Sequence, residues 1–182
     1  MRQDISLPAW TRFQAPLAAA FLAAALLPAE ALAQRAVLVV RHAERAREGP
    51  EADIPLSKTG AEHAARLAEM LKAAGVTAIY ATDTTRARQT GEPLAQMLKL
   101  AIKTYDTRDE KGTMTAAPLY SRLKADEKDG VVLVVGHSNT VPDILAAYGA
   151  RESVRLGPDD YGDLFVLVPQ PPGPPIFLHL KF

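Results

Sequence analysis

The sequence predicts an α/β fold, a three-layer α/β/α sandwich built around a mostly parallel central sheet. Two runs of Val and Leu without polar alternation, at residues 36–40 and 131–135, are typical of parallel strands covered on both faces. Strand-like runs alternate with helix-like segments between them, as expected for an α/β protein. The last two strand-like segments, 164–168 and 176–181, are joined by a proline-rich loop and predict a hairpin or edge strand at the end of the sheet.

The first predicted helix follows a charged loop at residues 45–53. Its start is indicated by Thr59 with Glu62 three residues later, which is the spacing of a capping box, and Gly75 is the expected stop. Apolar residues at three- and four-residue spacing should lay this helix on the sheet. They are Ala64, Leu67, Ala68, Leu71 and Ala74. We interpret His63, on the same helix, as a surface residue.

A second strand is predicted over residues 76–81, followed by a helix from near Arg86 toward Lys99. Gly91 and Pro93 should bend or loosen the first half of that helix. The remaining predicted elements complete the alternation of strand and helix. They are a strand at 101–105, a loop at 106–117, a helix at 118–125, and a helix N-capped by Thr140 that runs through Tyr148 to Gly149.

The composition is that of one ordinary globular domain with a hydrophobic core. The chain has 182 residues, 48% of them apolar and 23% charged, with 21 basic and 21 acidic side chains. The balanced charge gives no indication of a nucleic-acid partner. Because the chain contains no cysteine, disulfides, cysteine nucleophiles and cysteine-ligated zinc are excluded.

Residues 1–33 have the pattern of a secretory signal peptide. Arg2 and Arg12 precede an uncharged run at 15–27, and Ala31-Leu32-Ala33 supplies a small-x-small cleavage site. We therefore expect cleavage after Ala33, a mature domain of residues 34–182, a periplasmic or secreted location, and no stable membrane association after cleavage. An uncleaved anchor, or a wrongly assigned start upstream of a cytosolic protein, are the alternatives.

Four cationic or titratable side chains are expected together at the carboxyl edge of the sheet. Arg41 and His42 follow the first strand, His137 follows the strand at 131–135, and Arg86 opens the helix after the second strand. Two guanidiniums and two imidazoles favour an anionic ligand. A metal is disfavoured, because metal sites add carboxylates or thiolates rather than arginines. The alternative interpretation is that His42 and His137 have a structural role only, each at the end of its strand.

Three motifs resemble the signatures of the histidine phosphatase superfamily, in its phosphoglycerate-mutase-like branch. They are Arg41-His42-Ala43-Glu44, Thr82 to Thr90, and Gly136-His137-Ser138; Leu56 to Gly60 also resembles the family's entry to its first helix. The resemblance covers residues 36–181. It implies that His42 attacks phosphorus and becomes a phosphohistidine that water hydrolyses. It also implies that Arg41, Arg86 and His137 bind the phosphoryl oxygens, with no metal and no other cofactor.

Two departures from the family pattern bear on the reaction. Ala43 replaces the glycine of the Arg-His-Gly signature, so a conformation open only to glycine is not expected there. The chain also lacks the mutases' asparagine between His42 and the first helix, and only 31 residues separate Tyr105 from His137. A phosphoglycerate mutase is therefore the less favoured interpretation.

The proton donor to the leaving group is the least defined part of the predicted site. The resembling branch keeps a glutamate in the segment after the third strand, which here contains Asp109 and Glu110. Glu110 is the first candidate, with Asp109 and Glu44 as alternatives. Asp143 is interpreted as a charge in the first turn of its helix.

These observations predict a metal-independent phosphomonoester hydrolase acting on a small phosphorylated substrate through a phosphohistidine on His42. A different class remains open because the acid is not clearly present. In this alternative the chain is a periplasmic phospho-ligand binder or regulatory protein with an intact anion pocket and little or no turnover.

Overall fold

The computed structural model describes residues 35–49 and 54–182. The predicted signal peptide, its cleavage site and part of the first loop lie outside these residues. The strands are β1 Ala36–Arg41, β2 Val76–Ala81, β3 Ile102–Thr104, β4 Val131–Gly136, β5 Asp163–Gln170 and β6 Gly173–Lys181. The helices are α1 Lys58–Leu71, α2 Thr85–Leu98, α3 Ala117–Asp126 and α4 Thr140–Ala147.

The strands form one six-stranded sheet in the order β3-β2-β4-β1-β5-β6. Strands β1 to β4 pair in parallel, whereas β5 pairs antiparallel with both β1 and β6. The predicted mostly parallel sheet and its C-terminal hairpin are therefore confirmed. Since β1 lies directly beside β4, the ends of the two strongest predicted strands are neighbours.

Two apolar cores sandwich this sheet. Alternate residues of a strand point to opposite faces, so Val37 and Val39 pack in one core and Leu38 and Val40 in the other. The first core contains α3 and α4 residues such as Leu119 and Ile144. The second is covered by residues of α1 and α2, including Leu67 and Leu94. The predicted three-layer arrangement is confirmed by these two cores.

Helix α1 starts differently from the sequence prediction. Its N-cap is Ser57, whose hydroxyl accepts the Gly60 N–H at 3.1 Å, so the predicted capping box of Thr59 and Glu62 is wrong. The reason is tertiary, because the Ser57 N–H donates to the Glu44 carbonyl at 2.8 Å and fixes where the chain enters the helix. The helix ends at Leu71, a turn before Gly75, which has φ +73°.

Helix α2 is continuous through Gly91 and Pro93. Gly91 lets the helix approach the sheet closely, since a Cβ there would lie 3.1 Å from a methyl group of Ile79. The helix ends at Lys99, which has left-handed backbone conformation with φ 55°. The expected loosening of its first half is thus absent from the hydrogen-bonded helix that the structure describes.

Helix α4 begins at Thr140 with Asn139 as N-cap, one residue before the predicted cap. The Thr140 hydroxyl serves the preceding loop, because it accepts the His137 N–H at 2.8 Å. Gly149, at φ +81°, follows the end of the helix as expected. Among residues 35–49 and 54–182, no helix is long and apolar enough to cross a membrane.

Candidate active site

Two adjacent parallel strands bring His42 and His137 together. In the β1–β4 register Arg41 lies opposite Gly136, and the His42 N–H donates to the Gly136 carbonyl at 2.9 Å. Both histidines therefore leave the sheet at the same height. Their ring centroids are 5.2 Å apart with an interplanar angle of 66°.

Hydrogen bonds on both ring nitrogens define the tautomer of His42. Its Nδ1 lies 2.7 Å from the Ala43 carbonyl, which can only accept, so Nδ1 carries the proton. Its Nε2 accepts the Nε–H of Arg86 at 3.2 Å. The Ala43 N–H donates to the Thr90 hydroxyl at 3.0 Å and helps to fix that carbonyl. The structure thus presents a neutral imidazole with its lone pair on Nε2.

The environment of His42 keeps this ring neutral. Burial is the largest cause and lowers its pKa from 6.5 to about 3, against the raising effect of the Ala43 carbonyl. The charges of His137, Arg86 and Arg41 lower it further. Burial of a side chain that is only 4% exposed therefore lowers this pKa more than the neighbouring cations do.

Arg86 reaches the site from the first turn of α2. Its side chain is 7% exposed although it is charged, and its backbone carbonyl accepts the Thr90 hydroxyl at 2.8 Å. Its Nε–H lies beside His42 Nε2, so a positive charge stands next to the lone pair of this histidine. A planar guanidinium in this position suits an anionic ligand, as the sequence predicts.

His137 is held by threonines. Its Nε2 lies 2.9 Å from the Thr82 hydroxyl, which is itself 3.1 Å from the hydroxyl of Thr84. Its backbone N–H is bound by Thr140, as described above. Thr82 and Thr84 belong to the threonine-rich motif that precedes Arg86, so one short segment orients two of the predicted site residues.

Arg41 holds the loop at residues 157–161 over the site. Nη1 donates to the carbonyls of Gly157 and Asp160, and Nη2 donates to the Pro158 carbonyl and the Tyr161 hydroxyl, at 2.7–3.3 Å. The guanidinium also lies 4.1 Å from the centre of the Tyr161 ring. Within the described residues its Nε is buried and has no acceptor. That one N–H remains for the phosphoryl contact that the sequence predicts.

Of the three predicted proton donors, Asp109 and Glu110 share one turn, whereas Glu44 lies beside His63. Glu110 is exposed in a turn. One carboxylate oxygen of Asp109 accepts the N–H groups of Lys111 and Thr113 at 2.9 and 2.8 Å, which stabilises that turn. Glu44 lies 2.7 Å from His63 Nδ1. His63, which the sequence analysis interpreted as a surface residue, is partly buried, since its side chain is 19% exposed and lies beside Glu44.

A cleft of about 260 Å³ lies next to His137 and contains two carboxylates that the sequence reasoning missed. Asp83 and Asp106 both line it, whereas Glu110, Asp109 and Glu44 do not. Asp106 follows Tyr105 at the end of β3, so the strand-end rule that identified His42 would have identified it too. Threonines and one tyrosine complete the lining: Thr82, Thr84, Thr104, Tyr105 and Thr107.

Tyr161 is a further residue of the site that no sequence motif indicated. Its ring centroid lies 6.2 Å from that of His42, and it belongs to the loop held by Arg41. The residues that the structure describes contain no group of three or more His, Asp or Glu side chains placed to hold a metal ion. The site is thus defined by two imidazoles, two guanidiniums and a tyrosine at the carboxyl edge of an α/β sheet.

Comparison with known proteins identifies this class of site. A family model described as the histidine phosphatase superfamily, branch 1, matches residues 37–113, a span that includes Arg41, His42 and Arg86. The protein histidine phosphatase SixA complexed with tungstate has the same fold, with a TM-score of 0.67 and 19% identity over 80% of this chain and 96% of that one. Residues 37–113, which carry three of the four predicted site residues, thus match the histidine phosphatase superfamily, and the described fold agrees with it.

Other relatives differ in what they act on. A mycobacterial glucosyl-3-phosphoglycerate phosphatase, Rv2419c, solved with inorganic phosphate, superposes with a TM-score of 0.59 and 18% identity over 81% of this chain and 96% of its own. An 8-oxo-(d)GTP phosphatase of Mycolicibacterium smegmatis is 44% identical over 127 residues, which is 66% of this chain. The chain spans about two fifths of that relative, 39% of its length.

Proposed function

We propose that this protein is a metal-independent phosphomonoester hydrolase that works through a phosphohistidine on His42. The observation that carries the proposal is the lone pair of His42 Nε2, which a proton on Nδ1 and the Ala43 carbonyl direct toward Arg86. An imidazole must be neutral to act as a nucleophile, and the burial of His42 keeps it so at any physiological pH. The match to the superfamily supports the same reaction type.

The first step forms one bond and breaks one. The Nε2 lone pair attacks phosphorus, and the bond between phosphorus and the ester oxygen breaks. The ester oxygen keeps the electron pair of that bond and accepts a proton from a carboxyl group. The phosphorylated imidazole is then cationic. Its Nδ1–H still donates to the Ala43 carbonyl, which stabilises this charge.

The second step returns the enzyme to its starting state. Water attacks phosphorus, gives one proton to the carboxylate left by the first step, and displaces Nε2, which recovers its lone pair. Inorganic phosphate then leaves. The same carboxyl group serves as acid in one step and as base in the other.

Arg86 is proposed to exchange partners during the reaction. Its Nε–H caps the Nε2 lone pair in the structure, so this hydrogen bond has to be released before attack. A phosphoryl oxygen at the same place accepts it instead. His137 and the Nε–H of Arg41 would hold the other oxygens, and these cationic groups stabilise the charge that develops on the phosphoryl group without a metal ion.

A phospho-ligand binder without turnover is the second candidate, and a specific observation favours it. Two of the predicted acids are already engaged, Asp109 in its own turn and Glu44 with His63. A site that has cations but no acid binds phosphate esters and releases alcohols slowly. Asp106 and Asp83, in the cleft beside His137, are the carboxyl groups that would restore turnover.

The two candidates are separated by pre-steady-state kinetics with a labelled aryl phosphate, whose good leaving group tolerates a missing acid. We expect an acid-labile, alkali-stable phosphoenzyme, followed by steady turnover that survives strong chelators and is inhibited by vanadate. His42→Ala should abolish both phases, whereas His63→Ala is the matched control. Turnover in His42→Ala, or activity that EDTA removes and a divalent metal restores, contradicts the proposal.

Arg86 offers an independent test of charge stabilisation. Arg86→Ala should reduce turnover on the order of 10²-fold or more, as removal of one preorganised donor does in other enzymes. Lysine should not restore it, because the planar Nε–H beside His42 is lost. Arg88→Ala, an exposed residue of the same helix, makes the same change of charge and should leave turnover unaltered.

A further inference from the structure

The cleft beside His137 separates two kinds of charge at the candidate site. The guanidinium of Arg86 lies beside the Nε2 atom of His42, whereas the cleft lining includes the carboxylates of Asp83 and Asp106. His137 belongs to both regions, since its ring lies 5.2 Å from that of His42 and also lines the cleft. A phosphate ester whose phosphorus atom lies at His42 and whose alcohol part enters the cleft therefore extends from a positive region into a negative one.

We propose that this cleft receives the alcohol part of the substrate and selects phosphomonoesters of neutral, hydroxyl-bearing alcohols or of cationic alcohols over those that carry a second anionic group. The inference rests on the proposed hydrolase function. It concerns a specificity that the names of the relatives do not contain, because 8-oxo-(d)GTP and glucosyl-3-phosphoglycerate, which two of those names specify, both carry further anionic groups.

The position of the cleft assigns it to the leaving group. The Nε atom of Arg86 lies 3.2 Å from His42 Nε2, and the ring centroid of Tyr161, in the Arg41-bound loop, lies 6.2 Å from that of His42. The cleft adjoins the nucleophile through His137, whose ring centroid is 5.2 Å from that of His42 and whose Nε2 lies 2.9 Å from the Thr82 hydroxyl of the lining. The part of a substrate that does not contact the cations consequently meets the cleft.

The side chains of the cleft determine what it accepts. No lysine or arginine is among the described residues that line it. Arg122 lies near its rim but donates to the Thr104 backbone carbonyl at 3.0 Å and contacts Asp126, outside the lining. A carboxylate or second phosphate in the cleft would face the like charges of Asp83 and Asp106, and no lysine or arginine of the described lining would pair with it. Such repulsion between like charges is a recognised source of discrimination between ligands.

Threonine hydroxyls supply the attractive part of the selection. Thr82, Thr84, Thr104 and Thr107 line the cleft, and a hydroxyl group both donates and accepts. Hydroxyl groups of a polyol or sugar match such a lining, and the two carboxylates accept from the same groups. A quaternary or primary ammonium is favoured in addition by Asp83 and Asp106.

The experiment compares three alkyl phosphates with the full chain: phosphocholine, glycerol 3-phosphate and 3-phosphoglycerate, whose alcohols are cationic, neutral and anionic. We expect kcat/KM to be lowest for 3-phosphoglycerate, by roughly tenfold or more against each of the other two. This order needs no variant. A value for 3-phosphoglycerate equal to or above the others overturns the inference, and so does an absence of activity on all three while an aryl phosphate is hydrolysed.

Variants then test whether the two carboxylates cause the order. In Asp83→Asn/Asp106→Asn the ratio of kcat/KM for phosphocholine to that for 3-phosphoglycerate should fall by about tenfold. Because the ratio is taken within one variant, any role of either residue in proton transfer cancels. Asp129→Asn, an exposed residue before β4 at the opposite edge of the sheet, makes a charge change of the same kind and should keep the wild-type ratio.

The outcomes also distinguish this inference from the proposed function. An unchanged ratio in the double variant, with aryl phosphate hydrolysis and a phosphoenzyme intact, contradicts the inference alone. Undiminished aryl phosphate hydrolysis in His42→Ala contradicts the proposed mechanism itself.

Discussion

The imidazole of His42 is neutral over most of the pH range in which proteins are studied, because burial lowers its pKa to about 3. In the unfolded chain the same group titrates near 6.5. Between these two values the unfolded state binds more protons than the folded state, so the free energy of unfolding rises with pH. The nucleophile therefore makes the fold sensitive to acid while it remains reactive near neutrality.

We accordingly predict that His42→Asn flattens the pH dependence of stability between about pH 6.5 and pH 4. Relative to the variant, the wild type should lose about 3 kcal/mol of unfolding free energy over that window. Urea titrations of both proteins at a series of pH values measure the difference. Parallel curves would show that His42 is not buried as a neutral ring.

The proton donor is a second prediction at the scale of single residues. Alkyl phosphates need a protonated leaving oxygen, whereas aryl phosphates do not, so loss of the acid should affect the two substrates unequally. The sequence predicts a reduction of alkyl turnover by roughly 10²-fold in Glu110→Gln, or else in Asp109→Asn or Glu44→Gln. The cleft adds Asp106→Asn and Asp83→Asn to the same comparison. Equal losses on both substrates in every variant would rule out all five carboxylates.

At the scale of elements, the strand ends were predictable and the helix starts were less so. Continuous Val and Leu runs located β1 and β4, and their parallel pairing placed His42 beside His137. The start of α1 depended instead on a contact between Ser57 and Glu44, which are distant in sequence, and local capping patterns do not contain that information. The position of Tyr161 likewise depends on a contact between residues distant in sequence, because Arg41 donates to its hydroxyl.

Gly60 shows how closely α1 packs on the segment after the nucleophile. A Cβ at this position would lie 2.1 Å from the Glu44 carbonyl oxygen, a backbone atom that cannot move aside. Within a helix, Gly→Ala ordinarily stabilises by up to about 1 kcal/mol. We predict the opposite sign here, with Gly60→Ala destabilising by about 2 kcal/mol or more in denaturant titrations.

Glu62→Ala is the matched control for Gly60→Ala. Glu62 is exposed on α1, and it belonged to the predicted capping box that the structure replaces by Ser57. Its removal should change stability by less than about 0.5 kcal/mol, as for most surface substitutions. A loss larger than that of Gly60→Ala would favour the original capping box.

At the scale of the whole molecule, the net charge is zero, yet positive and negative side chains are separated within the candidate site. The chain has 21 side chains of each sign, yet the candidate site places cations at His42 and carboxylates in the cleft beside it. The balanced composition alone contains no information about this separation of charge. The division itself follows from the strand order β3-β2-β4-β1, which aligns the ends of β3, β2 and β4 along one edge and brings Asp106, Asp83 and His137 to a common cleft.

The N-terminal segment gives the last prediction, which concerns where this molecule works. We propose that residues 1–33 are removed after export and that the mature chain starts at Gln34. The described fold is compatible with this cut, since β1 starts at Ala36 and the Arg35 N–H donates to the Gly130 carbonyl at 3.0 Å, so no residue of the sheet is lost.

Expression of the full chain in a Gram-negative host, followed by fractionation and N-terminal sequencing, tests the proposed export. We expect periplasmic protein beginning at Gln34, because signal peptidase requires small residues such as Ala31 and Ala33 before the cut. Ala33→Arg should leave the segment attached and the protein bound to the membrane. An intact wild-type chain in the cytosol would contradict export, and an intact wild-type chain in the membrane fraction would identify the segment as an anchor. Either result would move the candidate substrates to a different compartment without altering the chemistry proposed for His42.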